Sequence, residues 1–462
     1  MAGARLAIEY TPLHDAELPR SVLGCQPGDW HQQLERYRQW VQSWYQPAAP
    51  RKRWFREVWN FRQQFLHFAL PTKSGIFHED TRTIRLQEVV EADAEAFGGV
   101  DYLHLFDWGW DPVHGRCGDY EPWDYLGGVD NFRSAVEEVQ AAGIPVGLYL
   151  EGILVDPQSN LGRAHGAAWQ MLGPAGQPYG YFAPSFHICP RVPQWQAYLS
   201  GTYRRVRAQT GAVGFYVDEY GFSGPTYWCY NPDHDHPVPV TPVLGEREML
   251  KQVRAALGPD AAIYTEESPT DVNSQYQDGS FTYNISSVPD DWSPSHVNLY
   301  RFAFPTFKTI EIICCDQPLG TNVEAVKRCL FNGEAIWIEG IRDQWFAPEV
   351  RAQIALNRRV LRENRECFAG DDVEPLVPTL LSGLYANRFH AGADSGAGKT
   401  CWTVYNTNYR TVSAEVMAVQ HHGAATYRNE VTGELLAPRV SDGQAFLTLQ
   451  IPPRDVIVVS QQ

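Results

Sequence analysis

The sequence predicts an α/β fold, a (β/α)8 TIM barrel followed by a small C-terminal antiparallel β-sandwich. Three observations predict it. From about residue 55 to about residue 365, short apolar runs alternate with stretches of helical periodicity, the pattern of a parallel sheet with crossover helices. Eight such runs occur, the number that closes a barrel. After about residue 375 the helical pattern stops, and short, alternating, turn-bounded segments replace it.

Each element follows in order. Residues 5–10 read as one strand, and residues 29–46 as a helix in which Trp30, Leu34, Tyr37, Val41 and Trp44 recur at three and four. A Pro/Ala/basic linker spans 47–53. The eight strand candidates are Val58–Arg62, Tyr102–Phe106, Val146–Leu150, Gly214–Val217, Ala262–Thr265, Thr282–Ile285, Thr309–Cys314 and Ala335–Glu339. Helices fit between them at Asn131–Ala142, closed by Gly143, and at Gln194–Thr210. An open doubly wound sheet would want a Gly-rich turn after an early strand, but Phe106 is followed by Asp-Trp-Gly-Trp-Asp. The sandwich strands are Tyr385–Phe389, Cys401–Tyr405, Ser413–Ala418, Ala425–Arg428, Phe446–Leu449 and Val456–Val459. The expected organisation is a lead-in at 1–54, the barrel at 55–370 and the sandwich at 371–462. Ala393–Thr400, A-D-S-G-A-G-K-T, imitates a phosphate-binding loop, but strand residues follow it at once where that mechanism needs a helix. It reads as a Gly-rich hairpin loop.

The bulk numbers limit the function. A chain of 462 residues exceeds one ordinary core, and 44% hydrophobic with 20% charged residues is a globular composition. A net charge of −16 and a pI near 5.3 disfavour nucleic acid and anionic membranes as partners and suit a neutral, polar substrate such as an oligosaccharide. The 13% aromatic content, with 15 Trp and 23 Tyr, fits rings that stack on sugars, although much of it belongs in a core. Nine cysteines without a CxxC pair read as buried free thiols. With no signal-peptide core and no run of about 18 apolar residues, a cytoplasmic location is expected, or a secreted one should a natural N-terminus precede this chain.

Acids recur where the strands end, the position from which barrel enzymes work. Asp107 and Asp111 follow the second strand, Glu151 the third, Asp218 and Glu219 the fourth, Glu266 and Glu267 the fifth. Glycoside cleavage needs one carboxylate at the anomeric carbon and one protonated carboxyl at the leaving oxygen. In GFYVDEYG, Asp218 is the first polar residue past the strand and shares a face with Tyr216, while Glu219 points away. That makes Asp218 the candidate nucleophile, against the plainer reading of a cap on the next segment. In IYTEES, parity favours Glu266 over Glu267 as acid/base, because Tyr264 and Glu266 repeat the Tyr216 and Asp218 arrangement. Asp107, Trp108, Trp110 and Asp111 are candidates for gripping hydroxyls and covering a ring face, and Glu151 for holding a hydroxyl. Tyr120, Glu121, Trp123 and Asp124 extend the same loop. Arg301 and Asn231 are further candidate hydroxyl ligands.

Asp233, His234, Asp235 and His236 form a Pro-flanked run. Adjacent side chains diverge, which is poor geometry for a metal, so substrate contact by His234 or His236 is favoured over zinc. No cofactor and no metal are expected.

The motifs GDWHQQLERYRQW, HLFDWGWD, GDYEPWDYLGG, GIPVGLYLEG, GFYVDEYGF, CYNPDHDHPVPV, YTEESPTDVNSQYQDG and LYRFAFP occur in that order over roughly residues 28–365. In order and spacing they resemble the glycoside-hydrolase clans of α-amylases, α-galactosidases and endo-α-N-acetylgalactosaminidases, most of all a poorly characterised barrel family near the last. The resemblance implies a nucleophile at Asp218 and an acid/base at Glu266, where the related pattern reads Thr/Ser-Glu-Gly and this chain has Glu267 in place of the glycine. It also implies an α-linked substrate and a β-sandwich ahead of the barrel, of which residues 5–10 would be the last strand. The expected activity is retaining hydrolysis through a covalent glycosyl-Asp intermediate. The alternatives are a non-catalytic carbohydrate-binding barrel and a metal-dependent hydrolase using residues 233–236.

Overall fold

The computed structural model describes residues 28–66, 76–110, 118–180, 184–220, 227–266, 269–282, 297–313, 323–338, 346–391 and 398–462. The barrel strands are β1 (Asn60–Gln64), β2 (Tyr102–Leu105), β3 (Val146–Glu151), β4 (Gly214–Asp218), β5 (Ala262–Glu266), β6 (Gly279–Thr282), β7 (Lys308–Ile313) and β8 (Ala335–Ile338). They pair in parallel in sequence order, and β8 closes on β1 through Asn60 and Ile336. Segments such as VGLYLE and AIWI are buried along their whole length, as a parallel strand covered on both faces must be.

Seven of the eight expected strands sit where the pattern placed them, within a few residues. The sixth is a correction. It was expected at Thr282–Ile285 and instead runs over Gly279–Thr282, with residues 283–285 outside the described set. Gly and Ser have weak strand propensity, which hid it. The pairing itself requires the glycine, because a Cβ on Gly279 would lie 2.5 Å from the Lys308 carbonyl oxygen of β7.

Rings fill the barrel. Phe61, Tyr102, Tyr149, Tyr216, Tyr264, Phe281 and Trp337 form one buried cluster, and His104 lies among them. Gly147 on β3 and Gly214 on β4 make room for the Tyr102 ring, whose hydroxyl any Cβ there would overlap. Much of the aromatic excess is therefore core.

The outer layer follows apolar periodicity. Helix α1 (His31–Gln42) precedes the barrel, and α2 (Leu86–Phe97) and α3 (Val129–Ala141) follow β1 and β2. Helix α3 buries Phe132, Ala135, Val136 and Val139 and ends at Gly143, whose φ of +88° suits glycine. Helix α4 (Pro193–Thr210) starts on a proline and ends at left-handed Gly211. Helices α5 (Val243–Leu257), α6 (Leu299–Ala303), α7 (Val323–Asn332) and α8 (Pro348–Glu363) continue the layer, and among the described residues between β5 and β6 there is a short 3₁₀ turn at Asn273–Tyr276. The 47–53 segment is docked rather than loose: Lys52 and Arg254 hold buried Asp278 at 3.0 and 2.5 Å. Among the described residues no helix is long and apolar enough to cross a membrane.

Behind the barrel a six-stranded antiparallel sheet faces a three-stranded one. On the strand Thr400–Asn406, Trp402 and Val404 point into the core between the sheets, whereas Cys401 and Tyr405 point to the barrel helices. The strand Asp372–Val377 was not anticipated, and it edges the larger sheet. The strands flanking residues 392–397 pair antiparallel, His390 with Thr400, as a hairpin requires.

Candidate active site

Three consecutive strands end in the same triplet. Tyr149-Leu150-Glu151 closes β3, Tyr216-Val217-Asp218 closes β4, and Tyr264-Thr265-Glu266 closes β5. Register aligns Tyr149 with Tyr216, Glu151 with Asp218, and Tyr216 with Tyr264. A layer of tyrosines therefore lies beneath a layer of acids at the C-terminal mouth, where βα loops build barrel sites.

Asp218 is held from two sides. The Tyr216 hydroxyl donates to Oδ1 at 2.6 Å and the Tyr149 hydroxyl lies 2.5 Å from Oδ2. Tyr149 also reaches Oε2 of Glu151 at 2.6 Å, so one phenol bridges two acids. Glu151 is anchored in turn, its backbone N–H donating to the Tyr120 hydroxyl at 2.6 Å. Carboxylate oxygens of Asp218, Glu219 and Glu266 lie within 4.8 Å of one another. Asp218 and Glu266 are partly exposed, whereas Glu151 and Glu219 are buried.

So many carboxyls cannot all ionise together. Burial, then the charges of Asp218 and Glu219, push Glu151 well above the usual range, which makes it the proton holder of the pair. Burial also raises Asp218, but hydrogen bonds from Tyr149, Tyr216 and Glu151 oppose that rise and favour its charged form. Both acids therefore sit above the usual carboxylate range, Glu151 well above it, and a tyrosine hydroxyl stands beside each oxygen of Asp218. Underneath, His104 receives or donates a bond to the Tyr264 hydroxyl at 2.8 Å, and burial drops its pKa to about 3, so it stays neutral.

Two residues here were not anticipated. Tyr149 was legible as the third copy of the Tyr-x-acid triplet. Glu219 was expected to point away, but β4 ends at Asp218, and a φ of +57° at Glu219 breaks the strand alternation and turns its carboxylate into the cluster. No residue-type pattern announces that turn.

Other expected ligands are corrected. Asp107 is fully buried and accepts the Leu66 amide on Oδ1, which ties the end of β2 to that of β1. Trp108 is also fully buried; its indole N–H donates to the Tyr149 carbonyl at 2.8 Å, and it packs on Tyr120, Trp123 and Phe132. Arg301 is buried under the sandwich, bonded to the carbonyls of Phe368 and Pro305. Asn231 braces a loop through the Gln170 carbonyl. Trp110 is partly exposed and packs against Phe106, which packs on Tyr149, so it stands close to the acids. Asp111 and Glu267 lie outside the described residues.

His234 and His236 are half-buried. Their rings turn toward two buried cysteines, with His234 Nδ1 3.4 Å from Cys229 Sγ and His236 Nε2 3.4 Å from Cys189 Sγ. The expectation of diverging side chains fails because the two histidines present different ring nitrogens.

A closed eight-stranded parallel barrel with an antiparallel sandwich behind it makes this a (β/α)8 barrel protein with a C-terminal β-sandwich. The chain belongs to the family described as a domain of unknown function, DUF6259, whose model matches residues 18–301. No curated protein matches it. In fold it is similar to a maltogenic α-amylase from Thermotoga neapolitana, with a TM-score of 0.60 and 11% identity over 88% of this chain and 98% of that one. A GH36 α-galactosidase from Geobacillus stearothermophilus aligns at 0.59 and 13% over 93% of this chain and 58% of that chain. A debranching enzyme from Nostoc punctiforme aligns at 0.58 and 13% over 90% and 99%. At these identities the likeness shows the fold.

Proposed function

We propose that the protein is a retaining glycoside hydrolase acting on an α-linked glycoside, with Asp218 as nucleophile and Glu266 as acid/base. One observation carries the reading: the carboxylate oxygens of these two residues, on adjacent strands, lie within 4.8 Å of each other. Retaining enzymes space their carboxyls by about 5–5.5 Å, whereas inverting ones leave about 6.5–9.5 Å for a water. In the first step Glu266 protonates the glycosidic oxygen as that bond to the anomeric carbon breaks, and Asp218 Oδ forms a bond to the same carbon. In the second, Glu266 takes a proton from water, the water oxygen attacks the anomeric carbon, and the Asp218 ester bond breaks. Tyr149 and Tyr216 hold the nucleophile charged and aimed. Trp110 is assigned to cover a sugar face, while Glu151, buried and bonded to Tyr149, acts on Asp218 through that phenol rather than on a sugar hydroxyl.

The α preference rests on the motif resemblance, and the similar folds include an α-amylase and an α-galactosidase. Kinship with endo-α-N-acetylgalactosaminidases rests on motif order alone.

The test is a panel of nitrophenyl α- and β-glycosides, with the anomer of the first-formed product read by NMR. Turnover of an α-glycoside with retained configuration, lost in Asp218→Asn, is the expected result. Inversion, turnover of β-glycosides alone, or an active Asn variant would overturn it. Sugar binding without any turnover would favour the binding-protein reading.

A further inference from the structure

Two long loops leave adjacent strands beside the acids. One runs from the end of β3 at Glu151 to the start of α4 at Pro193, and the other from Asp218 to the start of α5 at Val243. Hydrogen bonds already join them, from Tyr230 N to the Leu172 carbonyl and from the Tyr179 hydroxyl to the Trp228 carbonyl. Cys189 stands near the end of the first loop; Cys229, His234 and His236 belong to the second. One donor atom from each of the four, a sulfur or a ring nitrogen, lies within 4.8 Å of the others. Both cysteines are buried.

We propose that Cys189, Cys229, His234 and His236 bind one zinc ion, which pins the β3–α4 loop to the β4–α5 loop at the mouth of the barrel. The donor set carries the argument first. Two thiolates and two neutral imidazoles are a tetrahedral zinc set, and the thiolates cancel the ion's charge, so the site can be buried. Distance comes second. Zinc–sulfur and zinc–nitrogen bond lengths put the sulfur-to-nitrogen edge of such a tetrahedron at about 3.5 Å. Both sulfur–nitrogen contacts here are 3.4 Å.

The outward ring nitrogens supply the third argument. His236 Nδ1 lies 2.8 Å from the Pro237 carbonyl, so it carries the proton and leaves the Nε2 lone pair for the cluster. His234 Nε2 lies 3.1 Å from the Ala168 carbonyl, with the Asn231 amide nitrogen at 3.2 Å. Donation to Ala168 leaves the Nδ1 lone pair free to point at Cys229. A carbonyl behind each imidazole is the support that metal-bound histidines need. Four protein ligands leave no open position, so the ion is structural and takes no part in bond cleavage. The site stands whatever sugar the acids act on.

Metal analysis of the full-length protein, purified without chelator from zinc-sufficient medium, tests this. About one zinc per chain is expected. The Cys189→Ser/Cys229→Ser variant should lose it and melt at lower temperature. Because that variant can fail to fold, cobalt is exchanged into the parent protein as a second measurement. Thiolate-to-cobalt charge transfer with the intense visible bands of tetrahedral cobalt is expected. Parent protein without stoichiometric metal, full zinc retained in the double variant, an octahedral cobalt spectrum, or a native Cys189–Cys229 disulfide in the mass spectrum would each overturn the proposal.

Discussion

The Tyr149 hydroxyl lies 2.5 Å from Oδ2 of Asp218. A phenol on one strand thus steers the acid of the next, and register sets the meeting, because Glu151 pairs with Asp218. The same hydroxyl touches Glu151, so the tyrosine decides how two acids share charge.

Tyr149→Phe should therefore weaken Asp218, the proposed nucleophile, without emptying the site. A hydrogen bond to a charged group is worth about 1.5–3 kcal/mol, so kcat/KM should fall about 10- to 150-fold. That bond favours the charged form of Asp218, so losing it raises the Asp218 pKa. The acid limb of the pH–rate profile should move to higher pH. An unmoved limb would place Tyr149 outside the catalytic unit.

Glu266→Gln tests the proposed acid apart from the proposed nucleophile. Removing a general acid costs about 10²–10⁴-fold. The loss should be large for a disaccharide and small for a nitrophenyl glycoside, whose leaving group needs little protonation. Equal losses on both substrates, measured as kcat/KM, would assign the acid elsewhere.

Glu246, in the first turn of α5, is buried, and burial raises its pKa from 4.5 to about 8. The folded chain keeps this proton where an unfolded chain has already lost it. Stability is then fullest below about pH 4.5 and declines as pH rises through about 8. Glu246→Gln should remove that decline, adding on the order of 1–3 kcal/mol at pH 7 and nothing near pH 4. Melting temperatures across that range decide it.

Asp278→Asn should destabilise the barrel floor. Asp278 is buried and holds Arg254, Lys52 and the Ile263 amide. The variant takes the ion-pair partner from Arg254, Lys52 and Arg51, a loss of about 3–5 kcal/mol in urea unfolding.

Gly214→Ala should fold poorly, because its Cβ would overlap the Tyr102 hydroxyl in a core with no slack. Tyr102→Phe in the same chain should recover part of the loss in soluble yield and melting temperature.

The barrel was legible because a parallel strand covered on both faces is a run of apolar residues, and such runs with helices between most of them have few ways to pack. That Asp218 and Glu266 stand at strand ends was legible too, Asp218 as the first polar residue after its run and Glu266 by parity with Tyr264. Strand β6 was blurred, because Gly279 and Ser280 serve close packing rather than propensity. Asp107, Trp108 and Arg301 looked like ligands by residue type, yet burial made them struts.

By itself the sequence determined the order of strands and helices, the sandwich behind them, and which acids end which strands, since these depend on local periodicity. Only the tertiary structure decided that Tyr149 bridges two acids, that Glu219 turns inward, and that Cys189 meets Cys229, His234 and His236 across two loops. Such meetings join residues far apart in the chain or depend on one backbone angle, and a period of two or 3.6 residues carries no record of either.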